Sequence, residues 1–256
     1  MGLFDVFKKK ECSICGGEIG LLGNRKLRDG NLCKHCAAKL SPWFEDRRES
    51  SIEEIHQQLA YREQNKEAVA TFHITDSYGK IKKLLLDEDA RKFCVAEERD
   101  LSDNPDILDF SQLLGCDIDI DERRNEEKTK DKEGKIVSYR PPRYKYYYDF
   151  HVILRVEHPY FDEMKFKLNS YSIETTNGQA VPEFRKPDPG LDMDYHQCEE
   201  MAREIKAAVL RARQTQRMAA REAAKPKAVV TCPNCGATTT PDANGCCEYC
   251  GGSVKG

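Results

Sequence analysis

Eight of the twelve cysteines in this chain fall into four C-x-x-C pairs: Cys12/Cys15, Cys33/Cys36, Cys232/Cys235 and Cys247/Cys250. Two residues between thiolates let both sulfurs turn toward one ion, each about 2.3 Å from a zinc. A single such pair is ambiguous, because it also suits a redox couple. Two pairs at each end of the chain point to metal instead. Glycine follows three of the pairs, in "CSICG", "CPNCG" and "CEYCG". A chain folding back under a metal wants a positive φ at that position, which glycine supplies at little cost. These three stretches read as zinc knuckles. Four thiolates leave no open coordination position, so both sites are expected to be structural, with two Zn2+ per chain.

The segment "NGCCEYCGG" holds a surplus thiol. Cys247 and Cys250 have the knuckle spacing and the following glycine. Cys246 has neither and is assigned as a small side chain facing away from the metal. The rival ligand set is Cys246 with Cys250. The pair in "LCKHCAAKL" differs, because Ala37, Ala38, Lys39 and Leu40 continue as helix formers. It follows a hairpin signal, Asp29-Gly30. Knuckle, hairpin and a second pair on a first helical turn make a treble-clef pattern, with His35 as a competing ligand inside the pair. The helix N-terminus would favour the thiolates electrostatically. The C-terminal cluster has two knuckles and no helix signal, which is the pattern of a zinc ribbon.

Charged residues make up 33% of the 256, and the net charge is −3. Mean hydropathy is −0.72. No apolar run approaches the roughly 20 residues of a membrane span, and the first residues lack the apolar core of a secretory signal. A soluble, cytoplasmic protein is expected, a setting in which disulfides do not persist. "MGLFDVFKKK" is either a frayed tail or a segment whose Leu3, Phe4, Val6 and Phe7 touch an anionic membrane. Val6 stands where a myristoylation signal wants Ser or Thr.

Between the cysteine clusters the pattern changes. Ser51 and Glu54 form a capping box for a helix over 51–66, with Ile52, Ile55 and Leu59 on one face. From about residue 68 the period becomes two: Ala70, Phe72 and Ile74 alternate with polar residues, and "DSYGK" reads as a turn. "IKKLLLDE", "ARKFCVAEE" and the alternation of Cys116, Ile118 and Ile120 predict further strands, with a helical turn at "ILDFSQLLG". The D-x-D-x-D stretch of Asp117, Asp119 and Asp121 lacks the glycine of a calcium loop, so its aspartates read as solvent-facing. "DERRNEEKTKDKEGK" reads as a solvated hairpin tip or loop. The clearest strand places Tyr144, Tyr146, Tyr148, Phe150, Val152, Leu154 and Val156 on one face. Its regular alternation favours core packing over a base-stacking platform. Met164, Phe166 and Leu168 continue in a returning strand.

A helix is expected over 192–224, with Cys198, Met201, Ile205, Ala208, Val209 and Ala212 as its apolar face. Arg203, Lys206, Arg213, Arg217, Arg221 and Lys225 lie within about a third of its circumference at ~100° per residue. This basic stripe is either a solvated face or a site for an anionic partner, nucleic acid or a membrane surface.

The stretch "CSICGGEIGLLGNRKLRDGNLCKHCAAKLSP" resembles a bacterial family of uncharacterised domains with four zinc-binding cysteines. C-x-I-C-G, the K-L-x-D-G turn and L-C-x-x-C-A carry the likeness, which extends over about the first 120 residues. The resemblance implies zinc ligation by Cys12, Cys15, Cys33 and Cys36 and implies no activity. "CPNCG…CEYCG" resembles generic zinc ribbons. The element order of the centre resembles a pleckstrin-homology-like domain.

The expected fold is therefore α+β: an antiparallel curled sheet or split barrel closed by a C-terminal helix, flanked by two zinc modules. The expected organisation is a zinc module over 1–46, a helix over 51–66, a sheet domain over 67–212, a basic extension and linker over 213–229, and a ribbon over 230–252. His56, His73, His151, His158 and His196 are scattered and no nucleophile signature accompanies them, so an enzyme is not expected. The expected function is a zinc-binding interaction or adaptor protein whose sheet domain faces a protein or lipid. Nucleic-acid binding through the basic helix and the ribbon is the alternative, and an enzyme or redox protein a lesser one.

Overall fold

A computed structural model describes residues 10–97, 101–224, 229–242 and 245–254. They form two compact units, divided between Arg213 and Gln214.

The first unit opens with short strands around the first two cysteine pairs. β1 (Lys10–Glu11) pairs with β2 (Glu18–Ile19), and β3 (Arg25–Lys26) pairs with β4 (Asn31–Leu32). A four-residue helix, α1 (Lys34–Ala37), follows. Ala37 is its last residue and Ala38 caps it, so the helix does not run on through Lys39 and Leu40. The longer α2 (Ile52–Ala70) begins at the expected capping box: the Ser51 hydroxyl accepts from the Glu54 N–H, and the Glu54 carboxylate accepts from the Ser51 N–H. Ile55 is fully buried against Leu27, Leu32, Cys36 and Leu40, so α2 completes the small core of the cysteine module.

The turns of α2 beyond Ile55 are bonded to the rest of the unit. Arg62 Nη1 lies 2.8 Å from Asp106 Oδ1, and both side chains are buried. The same carboxylate accepts from Tyr61 Oη at 3.0 Å and from Ser41 Oγ at 2.8 Å. Asn65 donates to the Pro105 carbonyl and accepts from the Ile107 N–H. Rings of Tyr61, His158 and Tyr160 meet beside this network, and His158 stacks on Phe161.

The alternation at Ala70, Phe72 and Ile74 is not a strand. The helix runs on through Ala70 and is closed by Thr71, whose N–H and hydroxyl both donate to the Glu67 carbonyl. The next strand is β5 (Asp76–Gly79), built from "DSYG" itself, and the turn falls after it. β6 (Lys83–Asp87), β7 (Lys92–Ala96) and β8 (Leu108–Asp109) complete an antiparallel sheet in the order β5-β6-β7-β8. Leu84, Leu86, Phe93 and Val95 face the main core. Leu85, Cys94 and Ala96 pack on the other side beneath Phe72. Because both faces are covered, these strands read as continuous apolar runs rather than alternating ones.

The second sheet is built on β9 (Leu113–Lys130) and β10 (Ile136–His158), an antiparallel hairpin closed by a turn at Asp131. Much of the charged run thus lies in paired strand. Ser138 faces Lys128 and Arg143 faces Glu127, so residues 139–142 are extra length on β10. Pro141 and Pro142 stand in that bulge, where no ladder N–H is needed. The other edge of β10 is taken in turn by β11 (Phe161–Lys167), β12 (Ile173–Glu174) and β13 (Val181–Pro182).

Tyr146, Tyr148, Phe150, Val152, Leu154 and Val156 are buried as the alternation requires. They share a core with α3 (Met193–Ala223), which contributes Tyr195, Cys198, Ala202, Ile205, Ala208, Val209 and Ala212. The apolar face of α3 ends at Ala212. Among the described residues the sheets remain separate and no closed barrel forms. Among the described residues no helix is long and apolar enough to cross a membrane.

The second unit contains β14 (Val230–Thr231) paired with β15 (Thr238–Thr239), and the last two cysteine pairs.

Candidate metal centres

Each predicted knuckle is the same small piece of backbone. The first cysteine donates its N–H to the carbonyl five residues on, and the glycine donates back to that cysteine. Cys12 N–H to Gly17 and Gly16 N–H to Cys12 are both 2.8 Å. Cys232 to Ala237 is 2.8 Å and Gly236 to Cys232 is 2.9 Å. Cys247 to Gly252 is 2.9 Å and Gly251 to Cys247 is 2.8 Å. Gly16, Gly236 and Gly251 have φ of 70°, 72° and 68°. An L side chain is disfavoured there, which is the physical reason the three motifs share a glycine.

The same repeat accounts for Cys246. The residue before each knuckle pairs with the residue seven positions later: Glu11 with Glu18, Thr231 with Thr238, and Cys246 with Ser253. Cys246 is thus the strand position that precedes a knuckle. Its N–H donates to Asp242 Oδ1 at 2.7 Å. Its sulfur is not part of either cluster.

The sulfurs of Cys12, Cys15, Cys33 and Cys36 lie within 4.8 Å of one another, as do those of Cys232, Cys235, Cys247 and Cys250. Cys15 and Cys33 are 3.8 Å apart, Cys232 and Cys250 3.6 Å, and Cys235 and Cys247 3.8 Å. A tetrahedron with zinc–sulfur bonds near 2.3 Å has edges of about 3.8 Å. The eight sulfurs therefore stand at tetrathiolate spacing. His35 belongs to neither cluster.

Backbone amides surround the sulfurs. Cys33 N–H donates to Cys12 Sγ, and Cys36 N–H donates to Cys33 Sγ, each at 3.3 Å. Cys33 is the N-cap of α1, so its sulfur also caps the start of that helix. In the second cluster Asn234 Nδ2 is 3.8 Å from Cys250 Sγ. Burial pushes the Cys12 thiol up, but hydrogen bonds from the Cys15, Cys33 and Ile14 amides outweigh it and bring it to about 6. Cys247 is likewise brought to about 6, against its burial, by the Tyr249 and Cys250 amides. The Cys235 thiol is eased by the Ala237 amide, yet its sulfur neighbours, Cys250 first, push it up to about 12. Burial and the surrounding cysteines push Cys36 up as well. Four sulfurs this close cannot all be thiolates unless a cation sits among them, so the donor set suits a soft divalent metal.

The helical basic stripe is placed as follows. Arg203, Lys206, Arg217 and Arg221 are exposed on α3, and Arg213 is half-buried. Arg203 Nε turns back to the Glu199 carbonyl. Lys225 lies outside the described residues, as does the N-terminal "MGLFDVFKK". Sequence reasoning missed the amide and Asn234 contacts to sulfur. The asparagine inside "CPNC" is the local signal for the Asn234 contact alone.

No curated protein and no solved structure matches the chain. Residues 10–58, which enclose the first cysteine cluster and the start of α2, match a family described as a domain of unknown function (DUF4428).

Proposed function

We propose that this chain is a zinc-binding interaction protein and not an enzyme. The observation that carries the reading is the sulfur geometry. Each cluster offers four cysteine donors at the spacing of a closed tetrahedral site, and a closed site leaves no position for substrate or water. The ions then act on folding, as they do in small modules with too little apolar core of their own.

The working surface is assigned to the domain of β5–β13 and α3. A four-stranded sheet, then a sheet built on a long hairpin, then a helix is the order that motivates the pleckstrin-homology-like reading. Near the hairpin bulge, Pro141, Pro142, Tyr144, Glu183 and Phe184 line a shallow, mainly apolar cleft of about 440 Å3. Phe184 is exposed there. Such a cleft suits a protein or lipid partner.

A second reading rests on the exposure of Arg203, Lys206, Arg217 and Arg221, which suits a phosphate backbone. Fluorescence anisotropy with labelled single- and double-stranded oligonucleotides at several salt concentrations separates the two. The interaction-protein reading expects weak binding with a shallow salt dependence. Tight binding whose logarithm falls steeply with the logarithm of salt would favour nucleic acid, since each neutralised phosphate adds about 0.7–0.9 to that slope.

A further inference from the structure

Leu21 and Leu22 sit together at the corner of a tight turn, 92% and 86% exposed. The turn is closed by a 2.9 Å hydrogen bond from the Gly23 N–H to the Gly20 carbonyl. Single exposed leucines are ordinary, but two adjacent ones at a loop tip are an apolar protrusion that water does not favour. The support beneath is packed. Ile19, just before the turn, is buried in the core of the cysteine module, and Cys33 of the metal cluster lines the same hollow as the two leucines.

The surroundings carry more positive than negative charge. Lys34 and His35 line that hollow together with one carboxylate, Glu18, and Lys10 is the strand partner of Ile19. Residues 10–40 carry six Lys or Arg and three Asp or Glu, a balance of +3 in a chain whose net charge is −3. Lys10 is also the last of three consecutive lysines.

We infer that the Gly20–Gly23 turn is a membrane-contact wedge, with Leu21 and Leu22 entering the interfacial region of an anionic bilayer while Lys10 and Lys34 meet its headgroups. A protein partner would need a pocket shaped to a convex pair of leucines. Fluid acyl chains need none, and the net +3 of residues 10–40 complements anionic lipid. This contact is separate from the sheet-domain surface, and measuring zinc in the same samples separates its failure from failure of the metal reading.

The test is co-sedimentation of the full zinc-loaded chain with phosphatidylcholine vesicles, with and without phosphatidylserine. The chain should sediment with the phosphatidylserine vesicles and far less with phosphatidylcholine alone, and the binding should weaken as salt rises. A Leu21→Ser/Leu22→Ser double variant should bind at least about tenfold more weakly, because the apolar contribution is removed. Lys34→Glu should cost about fivefold or more, at about 1 kcal/mol per basic residue near such a surface. Both variants should keep the wild-type zinc content, which shows the module folded. Absence of wild-type binding, or unchanged binding by the double serine variant, overturns the inference. So does a wild-type dimer, not binding vesicles, that the serine variant turns into a monomer, because the leucines would then face a second copy.

Discussion

Substituting Asp106 should destabilise the first unit more than any surface change. Its carboxylate is 0% exposed and accepts from Arg62, Tyr61 and Ser41. Asp106→Ala leaves the Arg62 guanidinium, itself 7% exposed, without its anionic partner. Breaking a buried pair from one side costs about 3–5 kcal/mol. The stranded Ser41 and Tyr61 hydroxyls add to this less than their separate values of ~1–3 kcal/mol, because the site can admit water. Against a total stability of about 5–15 kcal/mol, this is a large fraction. In urea denaturation of the full chain the midpoint should fall by about 1–2 M, with a slope of ~2–3 kcal/mol/M. Arg62→Met should also destabilise. The Arg62→Met/Asp106→Ala double variant should be less destabilised than the sum of the single variants by about 2–3 kcal/mol, because removing both charges removes the unpaired one. A loss below about 1 kcal/mol for Asp106→Ala, or simple additivity in the cycle, would refute the reasoning.

Three further expectations follow from particular contacts. Cys247→Ser and Cys250→Ser should each take zinc toward one ion per chain by elemental analysis, while Cys246→Ser, altering only the strand position before the knuckle, should leave two. Cys12→Ser should lower the denaturation midpoint of the sheet domain, because Ile55 and the Asp106 network bind α2 to the cysteine module on one side and to residues 103–107 on the other. Cys232→Ser should leave that midpoint unchanged. Asp149 gives a pH signature: burial raises its carboxyl, but hydrogen bonds from Lys167, Ser172 and Asn169 outweigh this and hold it at about 2, below the ordinary 3.8. A depressed carboxyl contributes stability above its unfolded value and loses it as pH falls, so Asp149→Asn should flatten the acid limb of the stability curve between pH 3.8 and about 2. An unchanged acid limb would count against it.

The metal clusters were legible because their signal is local and chemical. The spacing C-x-x-C, with glycine after it, specifies both the sulfurs and the backbone that turns beneath them. The same held for the capping box at Ser51 and Glu54, and for the strand of Tyr146 to Val156, where period two met a core on one side only. Legibility failed where a competing local rule won. Ala70, Phe72 and Ile74 alternate, yet helix propagation from Ile52 carried through Ala70. Phe72 then became a plug over Leu85 and Cys94 rather than a strand residue. "DSYG" reads as a turn by composition but forms an edge strand because β6 offers it a partner. Arg62 and Asp106 are 44 residues apart, and nothing near either announces the other. Leu21 and Leu22 give no sequence signal, because two leucines between glycines fit neither period.

Native mass spectrometry of freshly purified, reduced protein tests most directly whether a tetrathiolate site folds each end of this chain. The folded chain should carry two zinc ions. Both ions should be lost in Cys12→Ser/Cys232→Ser, and one in either single variant. A chain carrying one ion or none, or carrying iron in place of zinc, would contradict it.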